Sequence, residues 1–109
     1  MTIDTIAQVT AQYEALPYPL RDPADEDKRL IGTWLDDLDL LNHHCFRGER
    51  KFDAAFRVLV AGGGTGDGTI FIAEQLRERG IARARLVHLD LSAAAIDIAR
   101  ARAKRRGLE

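Results

Sequence analysis

Three observations predict an α/β chain: a parallel sheet present only as its first β-α-β-α units, preceded by an N-terminal helical segment. Two short apolar runs, "FRVLVA" at 56–61 and "ARLVHLD" at 84–90, alternate with two helix-length segments. Strands separated by helices of that length run parallel and are joined by right-handed crossovers. Directly behind the first run lies a cluster of glycines, Gly62, Gly63, Gly64, Gly66 and Gly68. That is where an open sheet of this kind turns from strand into helix and receives a ligand.

The elements follow in order. Ile3, Ile6, Ala7, Thr10 and Tyr13 keep helical spacing, which predicts an amphipathic helix over 3–15. "LPYPLRDP" ends it, because Pro17, Pro19 and Pro23 remove backbone donors and push their neighbours towards extended conformations. "DEDK" offers acidic residues for a new helix start. Leu30, Ile31, Trp34, Leu35, Leu38 and Leu41 then form one apolar stripe, predicting a second helix through Asn42–Cys45 that Gly48 ends, with Trp34 in the core. The run at 56–61 reads as a buried strand, since it is almost continuously apolar. "GTIFIAEQLRER" at 68–79 reads as a helix stopped by Gly80. The run at 84–90 is a second buried strand. "SAAAIDIARARAKRR" at 92–106 reads as an Ala-rich helix with Ser92 as N-cap and Gly107 beyond its end. Residues 1–50 are therefore expected to be a helical lead-in or cap, and residues 51–109 the front half of a larger domain. Two parallel strands cannot cover both of their faces, so further strands are expected from more chain or from another chain.

Bulk properties exclude several classes. Apolar content of 46% and charged content of 30% are those of an ordinary globular protein, and the net charge of -1 creates no global field towards nucleic acid or membrane. The single cysteine, Cys45, has no internal disulfide partner, which suits a reducing compartment. The N-terminus has neither the basic nor the apolar region of a signal peptide, and no stretch approaches the roughly 20 apolar residues of a membrane span. A cytoplasmic location is expected. Charge is nonetheless uneven: acids crowd the first 40 residues, whereas residues 77–106 carry nine Arg and Lys. Without interleaved aromatics, those cations read as a solvated helix face favoured by the helix dipole rather than as a nucleic-acid surface.

The glycine cluster can be tested against three ligand classes. A phosphate-binding P-loop needs a lysine after its second glycine, yet Thr69 follows Gly68. The dinucleotide fingerprint G-x-G-x-x-G/A ends on Asp67 or Thr69 in either register, and an acid at that point would repel a pyrophosphate. The pattern present is G-x-G-x-G at Gly62, Gly64 and Gly66, with Asp90 at the end of the next strand. In a parallel sheet both lie on the carboxyl rim. There a carboxylate can accept two hydrogen bonds from a ribose cis-diol, while the glycine turn and helix start can receive an amino-acid carboxylate. S-adenosyl-L-methionine carries both groups.

"VLVAGGGTGDGT" followed by "LVHLDLS" resembles the front half of a class I S-adenosylmethionine-dependent methyltransferase over residues 56–107. "YEALPYPLRDP" and "LNHHCFRG" resemble, more loosely, the lead-in of some bacterial members. The resemblance implies a Rossmann-like sheet and an in-line transfer of the sulfonium methyl to a nucleophile of an unidentified acceptor. It implies that Gly62, Gly63, Gly64, Thr65 and Gly66 run along the methionine portion, that Asp90 takes the ribose hydroxyls and that Leu91 packs beside the adenine. One position departs from the family pattern. Where many members have an acid two residues before the first glycine, this chain has Val60. Asp67 is either a cap for the following helix or a substitute partner for the cofactor's ammonium. Catalytic residues stay unassigned, because in this family the substrate-facing groups come from later strands. An NAD-dependent oxidoreductase and a non-catalytic interaction module remain the alternatives.

Other candidates read more simply. His43, His44 and Cys45 are consecutive, so on a helix they diverge by about 100° each and do not converge on a metal. His88 reads as a satisfied histidine of the core or cleft. Tyr13, Tyr18 and Arg21 form either a stiff connector or a lid over the cofactor cleft.

Overall fold

The computed structural model describes residues 2–53, 55–81 and 83–108. Among them the chain forms α1 (Ile3–Ala15), α2 (Leu38–Phe46), β1 (Arg57–Ala61), α3 (Asp67–Glu78), β2 (Arg85–Leu89) and α4 (Ala93–Arg105), with short 3-10 turns at Pro23–Asp27 and Trp34–Asp36. The side chain of Ile3, a member of the predicted stripe on the first helix, lies outside the described residues. The two strands pair in parallel, with Val58 opposite Leu86 and Val60 opposite His88. The chain is thus a mixed helix and strand fold on a two-stranded parallel sheet. No helix among the described residues is long and apolar enough to cross a membrane.

Local chemistry sets the element ends. The Thr2 hydroxyl accepts the Thr5 N–H to open α1, and Ser92 accepts the Ala95 N–H to open α4. The α4 start is also reached from the lead-in. Glu14 Oε1 accepts the Ala94 N–H at 3.2 Å, placing a carboxylate at the positive end of that helix.

The predicted second helix is broken. Only Leu38–Phe46 is α-helical, and Trp34 and Leu35 are each 86% exposed rather than in the core. The cause lies in the sequence between them. Gly32 weakens any helix through it, and Thr33 closes onto the Asp36 carboxylate. Asp37 then serves as a new N-cap, accepting the Leu40 N–H at 3.0 Å. The Gln75 side chain locks the junction from α3, accepting from Leu38 N at 2.8 Å and donating to Asp36 O at 2.9 Å. Leu38, fully buried, packs with Ile72 and Leu76, and Leu41, Phe52, Phe56, Val58, Val60, Ile81, Ala84 and Leu86 close around them. Each such aliphatic side chain is worth about 1.5–3 kcal/mol when fully buried.

The strands are half-covered, not buried on both sides as their apolar runs suggest. Val58, Val60, Leu86 and His88 face the helices, whereas Leu59, Val87 and Leu89 are 63%, 48% and 57% exposed on the other face. On the first face α3 packs against the sheet and α4 against α3, with a cavity lined by Leu86, His88, Ile96 and Ala99 between α4 and β2; no described element covers the second face.

Of the basic residues at and after α4, Arg100, Lys104 and Arg105 are exposed as a solvated face would be, whereas Arg102 and Arg106 are not. Arg102 is 1% exposed, its Nε donating to Glu26 at 2.6 Å and its NH1 to Asp67 at 2.8 Å. Arg106 meets the same Glu26 and also Glu74, at 3.0 Å, while Arg105 pairs with Asp27. Part of the uneven charge is therefore neutralised internally, with Glu26 and Asp27 of the lead-in as counter-ions to Arg102, Arg105 and Arg106.

Candidate functional site

The glycine-rich turn takes its shape from four close approaches and one opening. A Cβ on Gly63 would lie 2.6 Å from His88 Nδ1, and one on Gly64 would lie 2.6 Å from the Tyr18 carbonyl oxygen. On Gly66 a Cβ would meet Ala99 at 3.0 Å, and on Gly68 it would meet the Asp36 carboxylate at 2.6 Å. Gly64 and Gly66 also adopt φ of 58° and 105°, which side-chain-bearing residues rarely do. Much of the glycine content thus makes room for the chain's own atoms. Gly62 is different: nothing lies within 4 Å of where its Cβ would be.

That opening leads into a cleft lined by Tyr13, Tyr18, Gly62, Gly64, Asp90, Leu91 and Ala95. Asp90 sits just past β2, and its two oxygens are both held. Oδ2 accepts the Gly64 N–H at 2.8 Å and Oδ1 accepts the Ser92 N–H at 2.9 Å. A carboxylate offers about four acceptor sites, so each oxygen retains one for a ligand hydroxyl. The glycine turn and the carboxylate therefore share one rim and touch directly. The cleft holds about 240 Å³, just below the roughly 300 Å³ at which ligand pockets begin.

The amides of Gly62, Gly63, Gly64 and Gly66 are committed within the chain. Gly62 and Gly63 N–H both donate to Leu89 O, at 2.8 and 3.1 Å, and Gly66 N–H donates to Gly63 O at 3.1 Å. At its two cleft-lining glycines, Gly62 and Gly64, the turn accordingly offers a ligand shape more than donors. Of the residues predicted from sequence, Gly62, Gly64, Asp90 and Leu91 line the cleft together. Gly63 backs onto His88 and Gly66 onto Ala99. Thr65 is fully buried, its hydroxyl donating to Pro19 O and its carbonyl accepting from Arg102 at 2.9 Å.

Asp67 is bound elsewhere. Its carboxylate forms a two-pronged pair with Arg21, at 2.9 and 2.7 Å, and accepts from Arg102. The Arg21 guanidinium, joined by that of Arg102, holds the Asp67 carboxyl below the usual carboxylate range despite its burial. The same pairing raises Arg21. Of the predicted lid, Tyr13 and Tyr18 reach the cleft, while Arg21 pins the lead-in to the start of α3. The Tyr18–Pro19 peptide is cis. Val60 points into the helix-side core, so this position is filled by packing.

Sequence reasoning did not find Arg102, Glu26 or Glu14. A signal for Arg102 exists: it continues the spacing of Ala95 and Ala99, the small buried residues of α4. The rings of His43 and His44 meet edge to face at 4.8 Å, and Cys45 is exposed. No cluster of three potential metal ligands occurs among the described residues. Comparison with family models, curated proteins and solved structures finds no match to this chain.

Proposed function

We propose that this chain is the cofactor-binding portion of a cytoplasmic, Rossmann-like methyltransferase of class I, using S-adenosyl-L-methionine. The observation that carries the reading is the contact between Asp90 and the glycine turn. The carboxylate lines the same cleft as Gly62 and Gly64, is held by the Gly64 N–H at 2.8 Å, and keeps acceptor capacity for a cis-diol. Leu91, 64% exposed beside it, offers an apolar surface to a purine. The missing Cβ at Gly62 lets a ligand approach the backbone from the open side. When bound, the cofactor supplies an electrophilic methyl on a sulfonium. The chain's own part is to hold the nucleoside by Asp90, to shield it with Tyr13 and Tyr18, and to fix its direction for in-line attack. The acceptor is a molecule with a nucleophilic atom, presented by groups outside this cleft.

Calorimetric titration of the protein with S-adenosylhomocysteine tests the reading, with NADH as the competing ligand. Binding of the first is expected, and binding of NADH alone would reject the assignment. Asp90→Ala should weaken that binding by about 1.5–3 kcal/mol, the worth of hydrogen bonds to a charged group. An unchanged affinity would remove Asp90 from the site.

A further inference from the structure

We infer that His88 is a positioning residue of the cleft, gripping Gly64 from the side opposite Asp90; the inference rests on the nucleoside-binding reading above. His88 Nε2 lies 3.0 Å from Gly64 O and Nδ1 lies 2.7 Å from Thr69 Oγ1. A carbonyl oxygen can only accept, so Nε2 carries a proton and donates to Gly64. In the tautomer with that proton alone, Nδ1 accepts the Thr69 hydroxyl, which orients the imidazole from the first turn of α3. Gly64 is in this way held at both of its polar groups by residues two apart at the end of β2: Asp90 takes its N–H, and His88 donates to its carbonyl. The ring occupies the space that a Cβ on Gly63 would need. A glycine in the left-handed region has the widest choice of backbone conformations, so it is the residue that most needs such a grip. Without the His88 donor, the Gly64 carbonyl loses its partner, which loosens the Gly64–Thr65 peptide and with it the left-handed Gly64 backbone that aims its N–H at Asp90.

Two amide variants separate the grip from mere packing. The amide of His88→Asn reaches the position of Nδ1 and can serve Thr69, but it is too short for Gly64. The amide of His88→Gln reaches the position of Nε2 and restores the donor. In calorimetry with S-adenosylhomocysteine, His88→Asn should bind at least about tenfold more weakly than the parent, whereas His88→Gln stays within about threefold. Thermal midpoints of the two variants should agree, since both lose the ring. Parent protein that fails to bind S-adenosylhomocysteine would overturn the nucleoside reading itself. A parent that binds, with Asn and Gln variants equal to each other, would overturn the role of His88 alone. Nitrogen-detected NMR of the imidazole gives a check free of ligand: a proton on Nε2 is expected, and a ring protonated only on Nδ1 refutes the grip.

Discussion

At Val60 a single side chain decides what the rim of the sheet can carry. Its isopropyl group packs towards Leu38, Ile72 and Leu76, so a carboxylate there would enter an aliphatic cluster. Val60→Asp should therefore cost at least about 2 kcal/mol of unfolding free energy in urea melts, as expected for a buried group without a partner. Asp67 makes the opposite case, a carboxylate fully provided for. Its pKa is lowered mainly by Arg21, so it contributes stability at pH values above the ordinary aspartate value of about 3.9, and that contribution is lost as pH falls through the lowered folded value. Thermal midpoints measured from about pH 5 downwards should drop less steeply in Asp67→Asn than in the parent. Asp90 and the glycines were legible in sequence because their spacing fixes them to one rim. The partners of Asp67 were not, because Arg21 and Arg102 reach it from opposite ends of the chain.

The bounds of α1, α3, α4 and both strands lie within a residue of those expected, with ends set by Ser92, Gly80 and Gly107, although Ile6 and Tyr13 of the α1 stripe are exposed. The segment before α2 defeats the same reasoning. Its apolar spacing is helical, but Thr33, Asp36 and Asp37 offer the backbone local hydrogen bonds that a helix would forgo. On α4, Arg100, Lys104 and Arg105 are exposed as expected but Arg102 is buried, since periodicity cannot tell a solvated arginine from a buried one with a distant partner. Arg102 ties the lead-in to the turn by bonding Glu26, Thr65 O and Asp67 together. Arg102→Ala should destabilise the protein by about 3–5 kcal/mol in urea melts, because it leaves enclosed carboxylates without their counter-charge. A loss under about 1 kcal/mol would mean the network relaxes into water.

Across the whole molecule, one face of the sheet carries helices and the other presents Leu59, Val87 and Leu89 to solvent, with Leu91 at the rim. Contiguous exposed apolar surface of this kind promotes association. Replacing Leu59 and Val87 together by Thr should change unfolding free energy by no more than about 0.5 kcal/mol per site, since neither is enclosed. The same change should reduce hydrophobic-dye binding and concentration-dependent light scattering. The apolar runs of β1 and β2 report what a strand could cover, and the open face is the one that two parallel strands are expected to leave uncovered.

Glu26 is nearly as enclosed as the guanidinium it meets, with side-chain exposures of 4% and 1%. A protease cutting between Arg29 and Leu38 would release more than a connector. It would take away the anion that lets Arg102 sit in a dry interior, and a charge so abandoned forces its surroundings open. Clipped material should consequently aggregate or be degraded, and any trimmed version intended for crystallisation or drug screening must keep the acidic turn in place.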